Sequence, residues 1–465
     1  MKTLEALKKL YWDNWQNGAE VYFVGGFVRD RLLNLNSKDL DIIVKGMSKS
    51  NIIKFLKKYG KIKQVTLSQT SNIFPITILL FNAFKDTCKA QITLPCRSKK
   101  QIPKYNNTLK QDCKYRDFRI NCLYLPIIYT FPNSKNVIDL VGGLKDIKKS
   151  IIVANGNPYE RIKESPIRML RAISLAGKLN FSIDINLLNA ISDCASLLRN
   201  IPVETIRIEF NKIIMLDKPS KYLKLMQRLG LLSIISSEIE KCVNVSQDKR
   251  YHKYDVFNHL VYTCDNAPKN LILRLAALLH DVGKPEVRVQ NEKNNRVTFY
   301  KHEIEGERKA KIFMTRLKYE TDVKEKVLAL VRMHMYHYTE EWTDATIRRF
   351  IKNTKLEPKY IGKLDKFPLF ILRAAERLGN GLKKNAITNR QRDFQKRLET
   401  ILRNTTVLNI KDLSINGNDL KKTFHIPENK QIGEILTYLL NNVLKNQTLN
   451  TRKKLLELAA KKINN

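Results

Sequence analysis

The chain has 465 residues, with 84 lysines and arginines against 45 aspartates and glutamates, giving a formal net charge of +39. Hydrophobic residues make up 43% of it, enough for several packed cores, and the length suggests two to four domains. Part of the charge reflects a coding bias toward lysine. The excess still favours a polyanionic partner, because basic side chains displace counterions from phosphates.

Several classes of protein are disfavoured at this stage. Seven scattered cysteines without a C-x-x-C pair argue against a zinc ribbon or a disulfide framework and favour a reducing compartment. Residues 1–16 predict an amphipathic helix rather than a signal peptide. The longest apolar stretch, at 74–84, is too short to span a bilayer. We therefore expect a cytoplasmic protein with no membrane partner, and the oligomeric state stays open.

The first 150 residues mix strand and helix patterns. Predicted strands cover residues 20–26, 40–44, 61–67, 73–81 and 89–94, and predicted helices cover the N-terminal segment, 28–33 and 49–59. The basic stretch from Arg97 to Lys114 contains a proline and is predicted to be a mobile loop. These patterns indicate an α+β fold that begins with a small mixed-sheet domain.

The pattern from Pro166 onward is almost wholly helical. Residues 167–179 and 203–216 are clear amphipathic segments. A polar patch at 242–253 marks a predicted boundary, and the basic helical tail has a short break at Asn416–Gly417. The mixed-sheet head is therefore expected to be followed by all-α domains.

The strongest chemical pattern lies near the N-terminus. An apolar strand at 21–24 runs directly into Gly25 and Gly26, and a helix opens after them, which is an arrangement that can cradle phosphates. Asp39 and Asp41 follow on a mostly apolar strand, where residues two apart point to the same face. Two such carboxylates can hold two Mg²⁺ ions about 3.5–4 Å apart.

These motifs resemble a known family. The run G-G-F-V-R-D at 25–30, followed by D-L-D at 39–41, resembles the head of class II tRNA nucleotidyltransferases and bacterial poly(A) polymerases, in the polymerase β superfamily. Three later segments resemble further motifs of that family, in the same order: R-D-F-R-I-N at 116–121, D-L-V-G-G-L-K-D at 139–146 and E-S-P-I-R-M-L-R-A at 164–172. The resemblance covers nearly the whole chain.

The resemblance implies roles for particular residues. Asp39 and Asp41 would be catalytic and bind Mg²⁺. The nucleotide would be bound by Gly25, Gly26, Arg29, Arg116, Asp117, Asn121, Glu164, Ser165, Arg168 and Arg171. Ser165 stands where the family has an aspartate that reads the base together with the arginine at position 168, so the choice between CTP and ATP stays open. Tyr115 replaces an arginine, and Gln91 and Arg97-Ser98-Lys99 stand where an acidic residue and R-x-E are expected.

A second pattern consists of histidines. His259, the pair His280-Asp281, and His302 resemble the HD superfamily, in which such residues bind a metal ion. His334 and Glu376 are further candidate ligands, and imidazole together with carboxylate suits a transition-metal ion. Two interpretations stay open: a metal-dependent phosphatase or phosphodiesterase, or a helical scaffold that supports RNA.

The resemblance implies a template-independent nucleotidyltransferase that adds C, A or both from CTP and ATP to the 3′ end of tRNA by a two-metal mechanism. The alternatives are a poly(A) polymerase with the same head, an HD-type phosphohydrolase with a degenerate head, and a non-catalytic RNA-binding protein. The expected domains are a nucleotidyltransferase head at 1–150, a base-recognising helical neck at 151–235, an HD-type domain at 236–381 and a tRNA-binding tail at 382–465.

Overall fold

A computed structural model describes residues 2–36, 39–67, 76–83, 89–93, 108–129, 131–133, 135–291, 296–426 and 430–463. The chain divides into two compact units, Met1–Ser237 and Glu238–Asn465. The division precedes the polar stretch at 242–253, which lies inside the second unit. The finer division into four domains stays a prediction.

The first unit carries one mixed sheet of seven strands. In chain order they are β1 (Glu20–Val24), β2 (Asp39–Lys45), β3 (Gly60–Leu67), β4 (Ile76–Ala83), β5 (Lys89–Thr93), β6 (Leu123–Pro126) and β7 (Ile138–Asp139). Their order across the sheet is β3-β4-β5-β2-β1-β6-β7. β2 pairs with β5 in parallel, and the other neighbours are antiparallel. β2 is therefore central, which places its aspartates beside β1 and β5.

The helices of the first unit cover the sheet and then continue without it. They are α1 (Lys2–Trp12), α2 (Gly26–Leu32), α3 (Lys49–Leu56), α4 (Leu109–Cys113), α5 (Gly143–Lys148), α6 (Pro158–Glu164), α7 (Arg168–Leu179), α8 (Ile185–Asp193), α9 (Val203–Ile214), α10 (Pro219–Arg228) and α11 (Leu231–Ile235). A two-stranded parallel pair, β8 (Ile151–Ile152) and β9 (Ser182–Ile183), lies among them.

The core of the head lies between the sheet and the first helices. Leu7 and Leu10 of α1, Ile42 and Val44 of β2, and Ile52 of α3 are fully buried in one cluster. The alternation of β2 sends Ile42 and Val44 to this core, so that Asp41 points to the opposite face. The period-2 pattern therefore both builds the core and exposes the carboxylate.

Where its residues are described, the second unit is helical apart from one hairpin. After α12 (Ser237–Glu240), which begins at the last residue of the first unit, come α13 (Val256–Asn266), α14 (Leu271–Leu279), the hairpin of β10 (Val289–Asn291) and β11 (Arg296–Thr298), α15 (His302–Arg316), α16 (Thr321–Met333), α17 (Asp344–Thr354), α18 (Pro368–Gly379), α19 (Asn389–Arg403), α20 (Gly417–Phe424), α21 (Lys430–Lys445) and α22 (Arg452–Ile463). Among the described residues, no helix is both long and apolar enough to cross a membrane.

The α+β class and the elements expected in the head are confirmed, with shifted ends. The mobile loop predicted from Arg97 to Lys114 is wrong for its last part, because residues 109–113 form α4. Thr108 and Gln111 form a reciprocal capping box at the start of α4, which satisfies two backbone donors that the helix leaves free. Residues 97–107 lie outside the described part of the chain.

Candidate nucleotide site and candidate metal cluster

The turn between β1 and α2 lies directly against Asp41. Gly25 has a φ of +66°, a conformation that glycine adopts without strain, and α2 begins at Gly26. A β-carbon added at Gly26 would lie 3.5 Å from Asp41 Oδ2. The structure therefore brings together the predicted glycines and one predicted aspartate. The side chain of Asp39 lies outside the described part of the molecule.

Two predicted arginines border the same turn. A β-carbon added at Gly25 would lie 3.2 Å from Arg116 Nη1, and one added at Gly26 would lie 3.4 Å from Arg29 Nη2. Gln91 pairs with Asp41 in the β2–β5 register, so an amide stands beside the carboxylate where the family motif predicts an acid. The turn thus has one described carboxylate and two guanidinium groups around it, a combination suited to a metal-bound triphosphate.

Asp112 is a site residue that the sequence interpretation missed. Its Oδ2 accepts hydrogen bonds from Arg116 Nε at 2.8 Å and from the Tyr124 hydroxyl at 2.7 Å. Asp112 lies on α4, inside the stretch that was predicted to be a loop. The T-x-x-Q pattern that begins at Thr108 is a helix-start signal and could have identified α4.

Asp117 is a buried carboxylate held by several donors. The backbone N–H of Phe118 and the amide of Asn121 donate to its Oδ1 at 2.8 and 2.9 Å, and Arg171 Nη2 lies 2.6 Å from its Oδ2. Burial by itself raises the pKa of Asp117. Arg171, Asn121 and Arg168 outweigh burial and hold the pKa below its ordinary value. Asp117 is therefore ionised at neutral pH and can fix the orientation of these donors.

The guanidinium of Arg168 is buried and already hydrogen-bonded. Its Nη1 donates to the carbonyl of Arg161 at 2.8 Å and to Glu164 Oε2 at 3.1 Å, and its Nη2 donates to the carbonyl of Tyr115 at 3.0 Å. Ser165 is also buried, and its carbonyl accepts from the backbone N–H of Arg168 at 3.0 Å. Glu164, the neighbour of Ser165, is therefore a carboxylate partner of Arg168.

The predicted histidines of the second unit converge on one carboxylate. His302 Nε2 and His334 Nε2 lie 3.2 and 3.5 Å from Asp281 Oδ1. His280 Nε2 and His259 Nε2 lie 3.3 and 3.6 Å from Asp281 Oδ2. All five side chains are buried, and they form two groups of possible metal ligands that share Asp281. The structure therefore brings His334 into the same cluster as the other four residues.

Backbone carbonyls orient three of these rings. The Nδ1 atoms of His280, His302 and His334 lie 2.9, 2.7 and 2.7 Å from the carbonyl three residues earlier in the chain. Because a carbonyl can only accept, each Nδ1 carries a proton, and the Nε2 of each ring is turned toward the cluster, where an unprotonated Nε2 can act as a metal ligand. The spacings around Asp281 are close to the ~3.4 Å edge of a tetrahedron with ~2.1 Å metal–nitrogen bonds.

The charges around the cluster include a lysine that the sequence interpretation missed. Lys284 Nζ donates to Gln247 Oε1 at 2.7 Å and forms an ion pair with Asp281 Oδ2 at 2.6 Å. Burial and the neighbouring His280 lower the pKa of His259 to about 3, which keeps that ring neutral. Lys284 follows Asp281 by three residues in the H-D-V-G-K run, so its position was visible in the sequence.

Glu376 is engaged outside the cluster. Its carboxylate forms an ion pair with Arg373, with a shortest distance of 2.9 Å. Burial raises the pKa of Glu376, but Arg373 outweighs it and brings the pKa to about 2. Among the described residues, Glu376 is not one of the grouped ligands.

The sheet, the glycine turn and the surrounding charges define the class of a nucleotidyltransferase head followed by helical domains, and family models agree. Residues 21–153 match a poly(A) polymerase head domain, and residues 180–242 match a probable RNA and SrmB-binding site of polymerase A. Residues 290–459 match a tRNA nucleotidyltransferase domain 2.

Relatives and solved structures point the same way. A CCA-adding enzyme of Ligilactobacillus salivarius is 30% identical over 254 residues, which are 53% of this chain and 55% of that protein. A multifunctional CCA protein of Actinobacillus pleuropneumoniae is 26% identical over 340 residues, 68% of this chain and 75% of the relative. The Bacillus stearothermophilus CCA-adding enzyme in complex with CTP shares the fold, with a TM-score of 0.69, 19% identity, and coverage of 100% of this chain and 97% of that one.

Three separate parts of the chain are thus similar to domains of poly(A) polymerases and tRNA nucleotidyltransferases, and the matched relatives are a CCA-adding enzyme and a multifunctional CCA protein. The match spans little more than half the length of the first relative. Nucleotidyltransferases of this type use divalent metal ions, and the structure holds candidate metal-binding groups.

Proposed function

We propose that this chain adds C and A nucleotides from CTP and ATP to the 3′ end of tRNA without a nucleic acid template. The observation that carries the proposal is the approach of Asp41 to the Gly25–Gly26 turn, with Arg29 and Arg116 beside the same turn. A carboxylate for a metal ion and cations for a triphosphate thus share one place on the sheet.

The proposed division of labour follows from this geometry. Asp41, with Asp39 two residues earlier on β2, would hold Mg²⁺, for which carboxylate oxygens are suitable ligands. When bound, the ions lower the pKa of the attacking hydroxyl and neutralise the triphosphate. Arg29 and Arg116 would bind phosphate oxygens. Arg168, held by backbone carbonyls, would read the base.

The names of the relatives support this substrate class. Two of them are a CCA-adding enzyme and a multifunctional CCA protein, and solved structures of the same fold are described as complexes with CTP and with ATP. We propose that residues 151–235 carry base recognition and that residues 382–465 bind tRNA. The proposed substrate also leads us to propose that the protein acts in the cytoplasm.

The direct test uses tRNA trimmed at its 3′ end, with each nucleoside triphosphate supplied separately, with and without a chelator. We expect CMP addition to tRNA that lacks CCA, AMP addition to tRNA ending in CC, and no addition with chelator. A run of A on unrelated RNA would instead indicate a poly(A) polymerase. Phosphate release from a phosphomonoester without nucleotide addition would indicate a phosphohydrolase.

We also propose that the histidine cluster of the second unit binds a transition-metal ion. His259, His280, Asp281, His302 and His334 supply four buried imidazoles around one carboxylate. Three of the rings turn Nε2 toward the same carboxylate, an arrangement in which neutral imidazoles can ligate a cation together with Asp281. Imidazole nitrogens favour transition metals over Mg²⁺.

Elemental analysis of the purified protein tests this second proposal. We expect bound transition metal in the unmodified chain and a clear loss of it in His334→Ala. His337→Ala is the matched control, because His337 is exposed and follows His334 by three residues. If no metal is bound, and no phosphatase activity follows addition of Mn²⁺, Ni²⁺ or Co²⁺, the metal proposal is contradicted. The scaffold interpretation would then be favoured.

A further inference from the structure

A series of polar contacts connects Arg171 on α7 with residues of the head. Arg171 on α7 forms an ion pair with Asp117 at 2.6 Å. The Asn121 amide donates to the other oxygen of Asp117 at 2.9 Å, and Arg29 Nη1 donates to Asn121 Oδ1 at 2.5 Å. Three consecutive contacts thus connect α7 with α2, the helix that begins at the glycine turn.

Two further contacts connect Arg29 with a second residue of α7, Lys178. Arg29 Nε donates to Asp30 Oδ1 at 2.8 Å, and Lys178 Nζ donates to Asp30 Oδ2 at 2.7 Å. Lys178 follows Arg171 by seven residues, which is about two helical turns, so both face the head some 10.5 Å apart along the axis. The six residues Arg171, Asp117, Asn121, Arg29, Asp30 and Lys178 therefore close a ring, called here the α7–α2 ring.

Burial distinguishes this ring from ordinary surface ion pairs. The side chains of Arg29 and Asp30 are each 5% exposed, whereas Lys178 is 54% exposed and Arg171 is about half exposed. An exposed pair contributes little by itself. Here each exposed cation binds a buried carboxylate whose second oxygen is already used, so the position of α7 is tied to groups that cannot move freely.

The α7–α2 ring connects two parts of the candidate nucleotide site, the glycine turn at the start of α2 and Arg168 at the start of α7. On the α2 side, a β-carbon at Gly26 would meet both Arg29 Nη2, at 3.4 Å, and Asp41 Oδ2, at 3.5 Å. On the α7 side, Arg168 precedes Arg171 by one helical turn. A shift of α7 relative to α2 would therefore change the position of the base-reading arginine relative to Asp41.

We propose that Lys178 and Asp30 are positioning residues for nucleotide addition. Through the α7–α2 ring they align the base held at α7 with the reacting groups at the turn. This inference rests on the proposed function. It concerns the chemical step and the choice of nucleotide rather than RNA binding, because Lys178 is connected to the glycine turn through Asp30 and Arg29.

The test compares Lys178→Met, Lys178→Arg and the control Lys148→Met, which removes an exposed lysine from α5 of the head. For Lys178→Met we expect kcat for CMP addition to fall by roughly tenfold, because ~1 Å errors in placement cost up to ~10²-fold in rate. Selectivity for CTP over UTP should also fall, with tRNA affinity unchanged. Lys178→Arg should restore both quantities, and Lys148→Met should match the unmodified chain.

The outcomes separate this inference from the proposed function. An unmodified chain that adds no nucleotide to tRNA overturns the proposed function itself. An active chain in which Lys178→Met keeps its kcat and its selectivity overturns only the inference. A loss of kcat that follows lowered thermal stability, with unchanged selectivity, also overturns it. A double-mutant cycle of Lys178→Met with Arg171→Met gives independent evidence, because residues of one ring should show coupled effects on selectivity.

Discussion

The carboxylates of Asp41 and Asp112 differ in their burial and in the groups that surround them. Asp112 accepts from Arg116 and from Tyr124, and it is buried, so its charge is used in holding Arg116 in place. Asp41 is half-buried beside the glycine turn, where a β-carbon added at Gly26 would lie 3.5 Å from its Oδ2. The first carboxylate therefore orients Arg116, whereas the second is the proposed metal ligand.

Removal of the Asp41 carboxylate should abolish most of the nucleotide addition. For Asp41→Ala we expect kcat/KM to fall by roughly 10³-fold or more, because a metal ligand contributes several kcal/mol to the transition state. Binding of tRNA should stay close to normal, as a filter-binding assay would measure. Asp13→Ala, at an exposed position after α1, is the control. Near-normal activity in Asp41→Ala would contradict the assignment.

Ser165 leads to a prediction about base selection. A carboxylate at position 165 would lie three residues before Arg168. It could accept a hydrogen bond from the exocyclic amino group of cytosine or adenine, and such a bond to an ionised acceptor is roughly twice as strong as a neutral one. Ser165→Asp should therefore improve selectivity for CTP or ATP over UTP by roughly 5–30-fold, corresponding to about 1–2 kcal/mol. Competition assays with mixed nucleotides measure this ratio.

The control for this substitution is Ser192→Asp, at an exposed position on α8, which should leave the ratio unchanged. Unchanged selectivity in Ser165→Asp would mean that another residue reads the base. Strong rejection of UTP by the unmodified chain would lead to the same conclusion.

At the scale of elements, the histidine cluster depends on how closely the turn after α14 approaches α15. Gly283 lies in this turn, and a β-carbon there would be 2.3 Å from the carbonyl of His302 and 2.4 Å from the backbone nitrogen of Gly306. Both are backbone atoms of α15, so they cannot give way without moving the helix. The absence of a side chain at Gly283 therefore sets the distance between Asp281 and His302.

Gly283→Ala should separate the two helices. We expect a loss of about 1–3 kcal/mol of unfolding free energy from overpacking, together with weaker retention of bound metal. Urea unfolding and elemental analysis measure the two effects. Gly433→Ala on α21 is the matched control, because nothing lies within 4 Å of a β-carbon there. That variant should gain about 0.5–1 kcal/mol, and equal behaviour of the two variants would contradict the explanation.

At the scale of the whole molecule, the chain has 39 more lysines and arginines than aspartates and glutamates, so its own carboxylates cannot neutralise all of its cations. The buried carboxylates of the nucleotide site and of the histidine cluster each have basic partners, such as Arg171 for Asp117 and Lys284 for Asp281. We propose that the excess of cations serves contacts with RNA phosphates, which release counterions.

Binding of tRNA should accordingly weaken with salt. If six or more phosphate contacts form, affinity should fall by ~10³-fold or more between ~50 and ~200 mM salt. Fluorescence anisotropy with labelled tRNA measures the slope, and the urea-unfolding midpoint over the same salt range controls for changes in stability. A flat response would mean that the charge reflects composition rather than RNA contacts.

The sequence alone determined the fold class, the elements of the head and the residue types at both sites. These features are local. The alternation in β2 and the apolar runs depend on residues that are neighbours in the sequence, so the sequence predicts them. The short helix α4 was also encoded locally, by the capping pattern at Thr108, and was missed because the surrounding stretch is basic and polar.

Only the tertiary structure decided which polar and charged side chains distant in the sequence became partners. Lys178 meets Asp30 across 148 positions of the chain, and Lys284 meets Gln247 across 37. Nothing in the local pattern selects such partners, because the cost of burying a charge is met by whichever group the packed helices and strands bring within reach. Glu376, by contrast, is paired with Arg373 three residues earlier on α18, a local partner, although its position in the sequence suggested a metal ligand.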